Sequence, residues 1–135
     1  MANESIFTKI INREVPAEII HETDKVIAFL DIHPIRPGHT LVVPKTEVDE
    51  WQDLDRETYR EVMEAAYDIA HLLKQKLNPP RVGMVIQGFD VPHAHVQVTP
   101  LHEATDVVST TRDPDFMSQE PDYEALRAMR ETLVA

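Results

Sequence analysis

The chain has 135 residues, enough for one domain with a real core and too few for two. Hydrophobic residues make up 42% and charged residues 27%, a globular balance, and the formal net charge of −11 argues against a non-specific grip on nucleic acid or an anionic membrane. The absence of cysteine excludes disulfides, thiol nucleophiles, iron–sulfur clusters and thiolate zinc sites.

Three glycines, Gly38, Gly83 and Gly88, leave no G-x-G-x-x-G fingerprint. Gly83 and Gly88 have Walker A spacing, but Phe89 stands where its lysine belongs. No apolar run reaches about 18 residues. The start, Met1-Ala2-Asn3-Glu4, carries neither the basic region nor the apolar stretch of a signal peptide, so a cytoplasmic protein is expected.

In chain order, Ser5–Asn12 predicts a short amphipathic helix capped by Ser5, with Ile6, Ile10 and Ile11 inward. Glu18–His21 and Val26–Leu30 read as strands joined by a polar turn. Pro34-Ile-Arg-Pro-Gly38 is a rigid turn leading to a β-branched strand, His39–Val43. From Asp55 to Leu77, apolar residues recur at three- and four-residue steps, a helix of about six turns capped by Asp55. Arg81–Gln87 and His93–Thr99 are further strands around the connection Gly88–Pro92. Pro121–Val134 predicts a terminal helix. Antiparallel runs of about five strands, one long helix on one side and short helices at both ends make this an α+β fold.

Charge is uneven. Residues 47–68 carry nine acids and two bases, and the tail from His102 onward eight acids and three bases. The remainder is almost neutral, which leaves room for one anionic substrate.

A strand puts alternate side chains on one face, so His93, His95 and Gln97 are expected to share a side, with Ala94, Val96 and Val98 turned into the core. His39 opens the neighbouring strand and Asp31 ends the one before it. Three histidines and an acid at element ends, beside rigid turns, are the material of a site built on a scaffold.

The stretches Ser5-Ile-Phe-Thr-Lys-Ile-Ile, Ala28-Phe-Leu-Asp-Ile-His-Pro-Ile-Arg-Pro-Gly-His-Thr-Leu-Val-Val-Pro-Lys45 and Val91-Pro-His-Ala-His-Val-Gln-Val98 resemble, in order, the histidine triad family of nucleotide hydrolases and transferases. The likeness spans residues 4–101, leaving 102–135 as an acidic C-terminal extension with a terminal helix. It implies a two-step displacement at an α-phosphorus of a purine nucleotide conjugate, with AMP or GMP as the unit cleaved. His95 would be the nucleophile, His93 would orient it, and His39 would support the cluster. Asp31 and Ile32 match the ribose-binding position, and Gln97 would donate to phosphoryl oxygens. The resemblance implies no metal or other cofactor, and a homodimer joined through the long helix and a strand edge.

Several positions depart from the pattern. Gln97 stands where the commonest branch has a third histidine, and Gln cannot exchange a proton near neutral pH. That favours relatives whose acceptor is phosphate: phosphorylases and nucleotidyl transferases. Asp90 lies where a Ser or Thr would protonate the leaving group, and Ile86 replaces a nucleotide-contacting Asn. Ser5 and Thr8 occupy places where some relatives have zinc-binding cysteines, so no such site is expected. Alternatives are a nucleotide-binding partner protein with vestigial catalysis, and a metal site on His93, His95 and His39. His21, His71 and His102 are expected to be packed or solvated without a role, while His33 is near enough to line the site. Arg36 and Lys45 are cations that could draw phosphates to its mouth, although surface Lys and Arg usually have no particular role. Trp51 and Tyr67 read as core or interface anchors.

Overall fold

A computed structural model describes residues 4–107 and 118–135. Five antiparallel strands form one sheet: β1 (Ile19–Glu22), β2 (Val26–Leu30), β3 (Thr40–Pro44), β4 (Arg81–Val85) and β5 (Val96–Leu101), in the order β1-β2-β3-β5-β4. The segment 4–12 begins with Ser5 accepting from the Thr8 amide, which caps α1 (Ile6–Ile11). Asp55 likewise accepts from the Thr58 amide and opens the long helix α2 (Arg56–Leu77). Asn78, in the left-handed region at φ 50°, ends it before Pro79. A last helix, α3 (Tyr123–Val134), starts at Asp122.

The pleat divides the sheet into two apolar faces. On one, Val62, Ala66, Ile69 and Leu73 of α2 bury against Val26, Ala28, Leu30, Val42, Val96 and Val98. Leu126 and Leu133 of α3 join this core, and the Arg130 guanidinium donates to the Ile19 carbonyl at 2.7 Å. On the other face, Phe7 and Ile10 of α1 pack on Ile27, Phe29, Leu41 and Val43. Phe7 and Ile10 are thus the buried residues of α1 and Ile11 packs half-buried beside them, whereas Ile6, expected inward, is exposed. Ile10 lies three positions after Phe7, about one helical turn, so the two form the stripe that meets the sheet.

Two strand limits beside the site differ from the sequence reading by more than one residue. The expected strand His93–Thr99 starts only at Val96. The ladder with β3 pairs Val42 with Val96, and continuing it would set Ala94 against Pro44, which has no N–H to give. The Ala94 amide turns instead to the Val48 carbonyl at 2.7 Å. The fourth strand stops at Val85, which leaves Ile86 and Gln87 in the following connection. Trp51 and Tyr67 are exposed, so neither is a core anchor.

The turn before β3 depends on Gly38. Its φ of +100° is left-handed, and a Cβ there would stand 2.7 Å from Leu77 Cδ1 and 3.2 Å from Pro100 Cγ. Gly38→Ala is expected to destabilise the protein by about 1–3 kcal/mol, through backbone strain and displacement of Leu77. A lowered urea midpoint with an unchanged m-value checks this.

Candidate active site

The site lies on the α1 face, where β3 and β5 run side by side. Leu41 is paired with Gln97, so residues alternating with them along either strand share this face. His39 immediately precedes β3. The Asp31 amide donates to the His39 carbonyl at 2.9 Å, which closes the connection 31–39 into a pinned loop. Asp31 Oδ1 accepts from the His33 amide at 2.8 Å.

Backbone groups dictate how the rings are protonated. The Ile35 amide donates to His39 Nδ1 at 3.1 Å, so the neutral ring carries its hydrogen on Nε2. That Nε2 lies 3.0 Å from Gln97 Oε1, which therefore accepts. The Gln97 amide nitrogen is thereby turned away from His39 with its hydrogens available as donors. His39 Nε2 is also 3.7 Å from Asp31 Oδ2.

The same logic holds for the other pair. The His95 ring sits 2.8 Å from the His93 carbonyl through Nδ1, so Nδ1–H donates and Nε2 keeps its lone pair. His93 has no exposed surface. Its Nε2–H donates to the Pro44 carbonyl at 2.8 Å, and its Nδ1 accepts from the Ser5 hydroxyl at 2.6 Å. The Ser5 hydroxyl in turn accepts from the Thr8 amide at 3.0 Å. Glu47 Oε1 takes both the Ser5 amide at 2.7 Å and the Thr8 hydroxyl at 2.6 Å. These donors hold the Glu47 carboxyl below its ordinary range, Thr8 contributing most. Phe7 sets its ring edge-on to both imidazoles, with centroids 5.1 Å from His95 and 5.7 Å from His93.

A cavity of about 470 Å³ opens over this cluster, within the range of small-molecule sites. Ile6, Phe7, Ile10, Phe29, Ile32 and Leu41 give it apolar walls, and Asp31, Asp90, His95 and Gln97 supply polar groups. His33 and Tyr123 also line it, so α3 reaches the site. Thus His95, Gln97, Asp31, Ile32 and Asp90 meet at one cavity. His39 and His93 stand behind it, in hydrogen-bonded contact with Gln97 and His95. Ile86 faces a second cavity on another side of His95.

A family model for the HIT domain matches residues 12–104. The chain belongs to the HIT family. It is 35% identical to an uncharacterised HIT-like protein of Methanocaldococcus jannaschii over 103 residues, 73% of this chain and 79% of that protein. A purine nucleoside phosphoramidase of Escherichia coli is 44% identical over 57 residues, 42% of this chain and 48% of that enzyme. The crystal structure of a Hit-like protein from Bartonella henselae superposes with a TM-score of 0.81 at 29% identity, covering 98% of this chain and 96% of that one.

Against the HIT pattern, Ser5 and Thr8 do not suit zinc. Their hydroxyls, far weaker zinc donors than thiolates, are committed to His93 and Glu47. Sequence reasoning found Ser5 as a helix cap but missed its bond to His93 and the part played by Glu47. No local signal links positions 42 and 88 residues apart. Phe7 and Tyr123 were missed for the same reason. Arg36 and Lys45 line neither cavity. Arg36 is bound to the buried Asp106 at 2.9 Å, which pins the proline turn to the chain after β5, and Lys45 pairs with Glu22 at 2.8 Å.

Burial is the largest influence on His93 and depresses its pKa below 6.5, outweighing the Pro44 carbonyl and Glu47, which pull it up. Above pH 6.5 the ring is neutral in both folded and unfolded chains. As pH falls through 6.5 the unfolded chain takes up its proton first, so stability drops until the lower native pKa is reached. His93→Gln keeps a donor and an acceptor but no titration. Urea unfolding between about pH 7.5 and pH 5 should show a smaller acid-induced loss in this variant than in the parent.

Proposed function

We propose that this HIT protein cleaves a nucleoside monophosphate, AMP or GMP, from a phosphoramidate or phosphoanhydride through a covalent nucleotidyl intermediate on His95. The observation that carries the reading is the His95 ring itself. It is buried, its Nδ1–H is committed to the His93 carbonyl, and its Nε2 lone pair is left bare beside a nucleoside-sized cavity. The related phosphoramidase of E. coli supports the same chemistry.

In the first step a bond forms from His95 Nε2 to the α-phosphorus, and the bond to the leaving group breaks. A departing amine takes its proton from solvent. In the second, water attacks the phosphorus, releases the monophosphate and returns His95 to neutrality with loss of a proton. The Gln97 amide hydrogens meet the phosphoryl oxygens, where charge accumulates. The carbonyl of His93 stabilises the positive charge on the ring of the intermediate. Asp31 accepts from ribose hydroxyls, Ile32 and Phe29 bracket the base, and Asp90 borders the nucleotide.

The active domain is residues 4–101. The 102–135 extension adds Tyr123 to the cavity wall, and two chains pair through α2 and the edge strand β4. A cytoplasmic location accords with a chain in which no described helix is long and apolar enough to cross a membrane.

Gln97 favours a second reading, phosphorolysis, because a phosphate acceptor arrives as an anion and needs less deprotonation than water. Incubation with an adenosine phosphoramidate should give an intact-mass increase of one adenylyl group on the wild-type chain and none on His95→Ala. Turnover of that variant should fall by at least about a thousandfold. An adduct that survives the substitution refutes the nucleophile assignment. Inorganic phosphate that accelerates turnover and appears in the product selects the second reading.

A further inference from the structure

His95 borders two cavities large enough for an organic group, one mainly apolar and one more polar. The apolar one has been described. The second, about 350 Å³, is walled by Asp49, Glu50, Trp51, Gln87 and Phe89, with no Lys or Arg among its lining residues. Asp49 and Glu50 are exposed and form no ion pair among the described residues. Trp51 and Phe89 leave 44% and 88% of their surface open, an unusual exposure for two aromatic rings beside a cleft.

The link between these walls and a ligand is His95. It is only 4% exposed, its Nδ1 is taken, and its Nε2 has no partner among the described residues. A phosphorus held over Nε2 carries a nucleoside and a leaving group. With the nucleoside in the apolar cavity, the space remaining beside the same imidazole is the acid-walled one.

We propose that this second cavity is a leaving-group site selective for organic cations: amines that bear a further positive charge a few atoms from the scissile bond. Two unpaired carboxylates raise the local concentration of such a group, and the open indole and phenyl faces attract its charge. The same carboxylates repel pyrophosphate, a second nucleotide and free phosphate, so the cavity opposes the phosphorolysis that Gln97 alone would favour. The negative charge of the 47–68 segment then acts at the site as well as on solubility.

The proposal rests on His95 being the nucleophile, and the test separates the two. Three adenosine phosphoramidates of equal chain length are compared on the full chain: one ending in a methyl group, one in an ammonium and one in a carboxylate. The wild type should show kcat/KM about tenfold higher for the ammonium than for the methyl substrate, and lower still for the carboxylate. About 0.5 M salt should compress the series. In Asp49→Asn/Glu50→Gln the ammonium-to-methyl ratio should fall to near one. The control Asp24→Asn/Glu131→Gln removes the same charge from exposed positions in the β1–β2 turn and on α3, outside both cavities and away from α2 and β4, and should keep the wild-type ratio. A flat or reversed series with the methyl substrate turned over, or an equal loss of preference in the control, overturns the leaving-group site and leaves the nucleophile intact. Failure of the wild type to cleave any of the three, with no adenylyl adduct on His95 from either a phosphoramidate or a phosphoanhydride, removes the nucleophile assignment and the inference with it.

Discussion

The hydrogen bond from His95 Nδ1–H to the His93 carbonyl is the constraint on which the site turns. A carbonyl can only accept, so this contact fixes the tautomer and leaves Nε2 as the one basic atom of a buried ring. The carbonyl is itself held in place by its own side chain, which is locked between Pro44 and Ser5. Ser5 heads α1 and Pro44 ends β3. The orientation of the His95 ring is thus inherited from the docking of a six-residue helix against a strand end, with Glu47 fastening the two.

Pro44 has two roles in this arrangement. Lacking an N–H, it stops the β3–β5 ladder at Val96, which frees His93-Ala-His95 from strand geometry. Its unpaired carbonyl then becomes the acceptor for the His93 ring. The break in the sheet and the anchoring of the histidine come from the same residue. Gln97, the second residue of β5, stays in register with Leu41 and is oriented by His39, the residue just before β3.

The charge distribution completes the picture. The larger cavity is mainly apolar, with acid at Asp31 and Asp90, and the second cavity bordering His95 is more polar, with acid at Asp49 and Glu50. The basic residues nearest the cluster in sequence, Arg36 and Lys45, are consumed by Asp106 and Glu22. Beside His95 the overall charge of −11 is represented by four carboxylates on two cavities with no Lys or Arg among their lining residues.

The order and type of every described strand and long helix were legible in the chain, because a 3.6-residue stripe and alternating β-branched runs are local patterns. The grouping of His93, His95, Gln97, His39 and Asp31 was legible through the motif that the stretches around them share with the HIT family. Where β5 begins was not, because that depends on which residue of β3 lies opposite, and Pro44 is some fifty positions away. Nor were the Ser5–His93–Glu47 cluster, the loss of Arg36 and Lys45 to carboxylates, or the arrival of Tyr123 at the cavity. Periodicity records which face a residue presents to its own element. Which partner waits on that face is a property of distant segments brought together, and hydrogen-bond direction at the histidines follows from those partners alone.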